Sequence, residues 1–232
     1  MPNLTLRLFG GFQAALDGEP ITNFETDKVR ALLADLTVEV DRAHSRSTLA
    51  TLLWADYPDA NARTTLRHVL HLLRAAIPDS PDSAPFLLIA RQTLQFNPAI
   101  RIEFDVAGFV GLIKMCAAHS HPQLNQCDAC AERLRQAVEL YRGDFLAEFA
   151  VHDSAPFEEW RRLKQEQLHI QMLDALHILA AHAENNGNFE QARRFALRQV
   201  ELEPWREEAH QQLMRSLALS GHRTAALAQF AA

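Results

Sequence analysis

The stretch CAAHSHPQLNQCDAC gathers Cys116, His119, His121, Cys127 and Cys130 into one short segment, and it holds all three cysteines of the chain. Cys127 and Cys130 have the CxxC spacing that lets two thiolates grip one ion, and zinc takes four nitrogen or sulfur ligands. Cys116 and one of the two histidines can complete the tetrahedron across the loop broken by Pro122, so four of these five residues form a candidate structural zinc site. The other reading makes Cys116 and Cys130 small core residues on helix faces, with the histidines solvated. A thioredoxin-like CxxC would need a βαβ setting, which is absent here.

A second stretch, PDANARTTLRHVLHLLRAAIPD, has the residue types for reading a polyanion. Leu66, Val69, Leu70, Leu73 and Ile77 form one apolar stripe at helical spacing. Outside that stripe lie Asn61, Thr64, His68 and His71, flanked by Arg63, Arg67 and Arg74. Amide, hydroxyl and imidazole groups can hydrogen-bond base edges, and Arg67 can reach a guanine or a phosphate; Arg63 and Arg74 are better placed for phosphates. On the helix alone, a solvated surface fits these residues equally well.

Charge argues against this reading until it is located. The chain of 232 residues carries a formal net charge of −6, whereas a charge-driven nucleic-acid binder is usually basic. Between residues 42 and 77, however, Arg42, Arg46, Arg63, Arg67 and Arg74 face only Asp56 and Asp59. Positive charge is thus concentrated on two short helices, and Arg91 adds to it from the strand region that follows. So few cations imply weak binding by a single copy, which pairing on two half-sites would strengthen.

An enzyme reading finds no nucleophile elbow, phosphate-binding glycine loop or HExxH, so no catalytic residue is assigned. His169, His177 and His182 fall within helical repeats, the acids of FEEW fit a solvated helix face, and Trp54 reads as core. No apolar run reaches the length of a membrane span. The start, MPNLTLRLFGGF, lacks the basic flank and apolar centre of a secretory leader, so a cytoplasmic protein with reduced thiols is expected.

These residues need elements to position them. Residues 4–22 alternate as short strands punctuated by GG and DGEP. From Thr26 the period becomes helical, with Val29, Leu32, Leu33, Leu36 and Val40 on one face. A second helix, RSTLATLLW, follows a cap at Ser45, and the Arg-bearing helix comes third with Asp59 placed to cap it. PDSPDSAP reads as a loop, and FLLIARQTLQFNPAIRIEF as strand. From about Asp105 the chain is helical, which divides it into 1–104 and 105–232. In the second part Leu179, Gly187 and Ala192 recur 34 residues later as Leu213, Gly221 and Ala226, and Pro204 closes the first unit. That is the tetratricopeptide pattern. On this spacing the second repeat is incomplete at Ala232, so an N-terminal fragment of a longer protein is expected.

The stretches LRLFGGFQAALDGEPI, LLWADYPDANARTTLRHVLHLLRAAI, AVELYRGDFLAEF, FEEWRRLKQEQL and VELEPWREEAHQQLMRSLALSGHRTAAL occur in this order over nearly the whole chain. In them the chain resembles the SARP-type (antibiotic regulatory protein) transcriptional activators, an OmpR-like winged helix joined to a bacterial transcriptional activation domain. Some members continue into an ATPase module, whose Walker loop is not found here. The resemblance implies a mainly α protein with a small β part: N-terminal antiparallel strands, three helices and a β-hairpin wing, then an all-α, tetratricopeptide-like domain. It makes the Arg-bearing helix the recognition helix of the DNA major groove. It also implies transcriptional activation through RNA polymerase, or contact with the chain's own C-terminal domains. The alternative is an interaction scaffold whose winged helix no longer binds DNA specifically.

Overall fold

The computed structural model describes residues 3–79, 84–100 and 102–230. Positions 80–83 of the PDSPDSAP loop, Arg101 of the strand stretch and the last two residues of the chain lie outside the described residues. The described residues fall into two compact units, one built from residues 1–107 and 142–166, the other from 108–141 and 167–232.

In the first unit, strand β1 (Leu4–Arg7) buries Leu4 and Leu6 and turns Thr5 and Arg7 outward, the two-residue period of a half-buried strand. β2 (Gln13–Leu16) pairs antiparallel with it, and β3 (Glu19–Pro20) folds back over Asp17 and Gly18, both at positive φ as a two-residue hairpin turn requires. Helix α1 (Asp27–Val38) buries Val29, Leu32, Leu33 and Leu36. β4 (His44–Ser45) leads into α2 (Arg46–Leu53), where the Thr48 N–H donates to Ser45 Oγ at 3.0 Å and caps the helix as the sequence suggests.

Helix α3 (Asp59–Ala76) follows, and its start differs from the expectation. The capping position is Pro58, which has no side-chain acceptor, and Asp59 is the first helical residue. Proline fixes the extended φ that a cap needs, while the Asp59 carboxylate in the first turn complements the helix dipole. Beyond it, β5 (Leu87–Ile89) and β6 (Thr93–Phe96) form an antiparallel hairpin, with β4 added on the β6 edge. The hairpin stops at Phe96. β7 (Glu103–Phe104) leaves it and pairs parallel with β1, giving a second sheet of order β3-β2-β1-β7. These strands, three helices and hairpin form a winged helix.

Residues 142–166 also belong to this unit. Phe145 is fully buried and bridges Phe9, the Leu146 N–H donates to Leu8 O at 2.7 Å, and the Gly10 N–H donates to Asp144 O at 3.0 Å. Gly143 passes so close to Gly10 that a Cβ there would stand 3.1 Å from the Gly10 Cα. Asp105 braces the same corner. Its carboxylate accepts from the N–H groups of Leu8, Phe9 and Val106 and from Arg142 Nη2 at 3.0 Å. Burial nevertheless leaves the carboxyl of Asp105 above the usual range, against the downward pull of those donors. The LYRGDFL stretch is therefore structural at Arg142, Gly143, Asp144, Phe145 and Leu146.

The second unit is helical. α4 (Asp105–Ala118) and α5 (Asp128–Leu140) are joined through a short 3-10 turn at Leu124–Gln126. α6 (Ala155–Asn185), whose residues up to Glu166 belong to the first unit, α7 (Phe189–Leu202), α8 (Glu207–Leu219) and α9 (Arg223–Phe230) follow. The 34-residue echo is visible in the hydrogen bonds. Gly187 and Gly221 both have positive φ, at 71° and 87°. After each, the next residue donates back across the helix end, Asn188 N–H to Ala183 O and His222 N–H to Leu217 O, both at 2.8 Å. Two helix ends 34 positions apart close with the same left-handed glycine cap. Leu179 and Leu213 are buried at equivalent positions, whereas Ala192 is buried and its counterpart Ala226 is half-buried. Among the described residues, no helix is long and apolar enough to cross a membrane.

Candidate nucleic-acid interface

The apolar stripe of α3 is core: Leu66, Val69, Leu70, Leu73 and Ile77 are all buried, and Ala62 and Ala76 extend the stripe at both ends. With that face fixed, a helical step of about 100° per residue dictates where the rest point. Thr64 and His71 form the crest, Arg63, Arg67 and Arg74 run along one flank, and Asn61 and His68 lie toward the other. All seven are exposed, as is Arg91.

Their chemistry is not uniform. The Thr64 hydroxyl donates to Ala60 O at 2.9 Å, leaving its oxygen as an acceptor on the exposed crest. Arg74 stands 4.0 Å from Asp79 across solvent, a weak pair that partly offsets its charge. Among the described residues, neither Arg63 nor Arg67 has an ion-pair partner. His68 borders a groove lined by Lys28, Trp54, Tyr57 and Asp153. There Lys28 Nζ lies 5.2 Å from the Trp54 ring centre and 2.7 Å from Asp153. His68 therefore sits at the edge of the α3 surface and His71 at its crest. Trp54 is 3% exposed, in keeping with its reading as core.

The hairpin turn carries Arg91, and it is held from α2 by Arg46, whose role spacing alone did not single out. Arg46 donates through Nη2 to Ala90 O at 3.2 Å, and its backbone N–H donates to Gln92 O at 2.9 Å. It ties the start of α2 to the turn and keeps a second cation beside Arg91. The base of the hairpin is held from inside the unit. His44 of β4 pairs with Leu94 of β6, and its Nδ1 lies 3.3 Å from Asp35 Oδ2 of α1, with both side chains 2% exposed. Neither Asp35 Oδ2 nor His44 Nε2 has a hydrogen-bond partner among the described residues. Burial pushes the Asp35 carboxyl up to about 7 and the His44 imidazole down, so burial disfavours charge on both.

The other sequence candidates lie in the second unit. His119, Cys127 and Cys130 come together, with their ligand atoms all within 4.8 Å of one another. Cys116 is buried close by, its Sγ 3.6 Å from Cys130 O, and the His121 ring centre is 5.6 Å from that of His119.

Comparison with known proteins fits this architecture. A structure of Mycobacterium tuberculosis EmbR, in complex with a low affinity phosphopeptide, superposes on 99% of the chain with a TM-score of 0.74 at 22% identity. The chain spans 58% of the length of that protein. Among curated proteins none matches by sequence. Residues 104–232, more than half of the chain, match the bacterial transcriptional activator domain. With a winged helix ahead of that match, as in the antibiotic regulatory proteins, the chain belongs to the bacterial transcriptional activator domain family of transcriptional regulators.

Proposed function

We propose that the first unit reads double-stranded DNA, with α3 in the major groove and the β5–β6 hairpin against the backbone. The observation that carries this reading is the segregation of α3. Every member of its apolar stripe is buried, while Asn61, Arg63, Thr64, Arg67, His68, His71 and Arg74 are all exposed. Thr64, His71 and Arg67 reach base edges, and Arg63, Arg74 and the turn residue Arg91 take phosphates. With this few cations, occupancy at physiological salt calls for two copies on paired half-sites. The second unit recruits RNA polymerase or docks further domains of its own protein, and activation in the cytoplasm follows from that contact.

A net charge of −6 favours a second reading, an interaction scaffold with a vestigial winged helix. Electrophoretic mobility on genomic fragments at low and physiological salt separates the two. Retardation that survives competitor DNA supports the regulator. Retardation that vanishes for every fragment at physiological salt supports the scaffold.

A further inference from the structure

We propose that the end of α4 and the start of α5 hold a zinc ion, bound by His119 Nδ1 and the thiolates of Cys127 and Cys130, with Cys116 as fourth ligand. DNA binding does not require such a site.

The distances carry the argument. Cys127 Sγ lies 3.5 Å and Cys130 Sγ 3.3 Å from the same atom, His119 Nδ1. A neutral imidazole offers one lone pair or one N–H at that nitrogen, which satisfies one thiol and not two. Two sulfurs converging on one nitrogen are better explained as three corners of a polyhedron. With Zn–S near 2.3 Å and Zn–N near 2.0–2.1 Å, the S···N edge of a zinc tetrahedron is about 3.5 Å.

Local structure supplies the rest. Cys127 occupies the capping position of α5 and makes no side-chain cap, so its sulfur stands beside unpaired helix N–H groups that favour a thiolate. Cys116 lies in the last turn of α4 and His119 just past its end, where the His119 N–H donates to Cys116 O at 3.2 Å and holds the two residues together. The Cys116 thiol is 2% exposed and already beside Cys130. The connection from His119 to Cys127 lacks an apolar anchor: its 3-10 turn has no buried residue, and Ser120, Pro122 and Gln123 are exposed. A metal would tie this segment down. Binding releases the three thiol protons to solvent and forms three Zn–S bonds and one Zn–N bond, so occupancy rises with pH. Nitrogen and sulfur donors in this arrangement select zinc over the hard cations magnesium and calcium.

The test uses the full chain, expressed with zinc in the medium and purified without a histidine tag or chelator. Mass-spectrometric metal analysis should find one zinc per chain, and chelator should lower the melting temperature until zinc is restored. Cobalt refilling should give tetrahedral d–d bands and thiolate-to-cobalt charge transfer, which Cys116→Ala reduces and His121→Ala leaves unchanged. Cys127→Ser with Cys130→Ser should bring zinc to background. If that double variant does not fold, the chelator titration of the unaltered chain decides. Zinc far below one per chain, with melting indifferent to chelator and to added zinc, overturns the site. So does a Cys127–Cys130 disulfide in freshly purified protein. Full charge transfer in Cys116→Ala overturns Cys116 as the fourth ligand.

Discussion

Replacing Asp35 by Asn removes a proton-binding group that the fold holds far from its ordinary range. Asp35 is 1% exposed, and its carboxyl moves from 3.8 to about 7. Burial is the main cause and Glu39 adds to it, while Arg42 and Lys164 pull the other way. The folded state therefore binds this proton more tightly than the unfolded chain. Its contribution to stability declines as pH rises from about 4 to about 7 and levels off above that. A shift of roughly three pKa units corresponds to about 4 kcal/mol for the fully ionised group. Asn has the same shape and does not ionise. Between pH 5 and pH 8 the variant should therefore gain about 2–3 kcal/mol relative to the parent. His44, pushed down by burial and by Arg42, is present in both proteins, so the comparison rests on the difference between them. Urea denaturation followed by far-UV circular dichroism, at half-unit pH steps on both proteins, measures the difference directly. A stability difference that is flat from pH 5 to pH 8, or that shrinks toward alkaline pH, would falsify the reasoning.

Arg67→Ala should weaken binding to a preferred DNA fragment by about 1–3 kcal/mol if the arginine makes a bidentate pair with guanine. Arg63→Ala should weaken all fragments alike and flatten the salt dependence, and Arg74→Ala should do so less because Asp79 already offsets its charge. Titration of labelled DNA over a salt series, with melts showing each variant folded, distinguishes these outcomes. Asp105→Ala should cost about 3 kcal/mol or more in chemical denaturation, because it strands the buried N–H groups of Leu8 and Phe9. A loss below about 1 kcal/mol would mean that water takes over the carboxylate's role. Gly187→Ala and Gly221→Ala should each cost about 1 kcal/mol, since both glycines have positive φ and space around the absent Cβ. Only one of the two being sensitive would show that the repeated caps are not equivalent.

The features legible in the sequence are those set by local periodicity and chemistry. The stripe of α3 must be buried under any packing, so the exposed set of seven residues followed from it. Ser45 could be read as a cap because a hydroxyl before a helical run has one obvious acceptor role. The repeat was legible because left-handed helix ends select glycine. Pro58 displaced Asp59 as the cap because two adjacent residues both suit a helix start, and spacing does not choose between them. Long-range pairing was not legible. Nothing local tells β7 to leave the hairpin and align with β1, or tells Phe145 to bridge Phe9. The Asp35–His44 contact was hidden for a similar reason: each residue sits in an ordinary-looking segment, and only the pairing of β4 with β6 brings them together. Arg46 was counted as charge in the sequence, but its bond to Ala90 depends on the same hairpin.

The return of residues 142–166 to the first unit has a consequence for the order of synthesis. β1 leaves the ribosome well before its later partners: one of its edges waits for Glu103–Phe104, and the backbone just after it waits for Asp144 and Leu146. Throughout that interval the nascent chain carries an open strand edge beside Leu4, Leu6 and Leu8, the kind of edge that invites pairing with other chains. Helices α1–α3 can collapse early around local contacts, whereas the corner held by Asp105, Arg142 and Phe145 closes late, so translation rate and chaperones act mainly on that gap. A gene fragment ending near residue 104 keeps the whole proposed DNA-facing surface but leaves the backbone of Leu8, Phe9 and Gly10 without Asp105, Asp144 and Leu146. Such a fragment should be aggregation-prone even though every residue proposed to touch DNA is present.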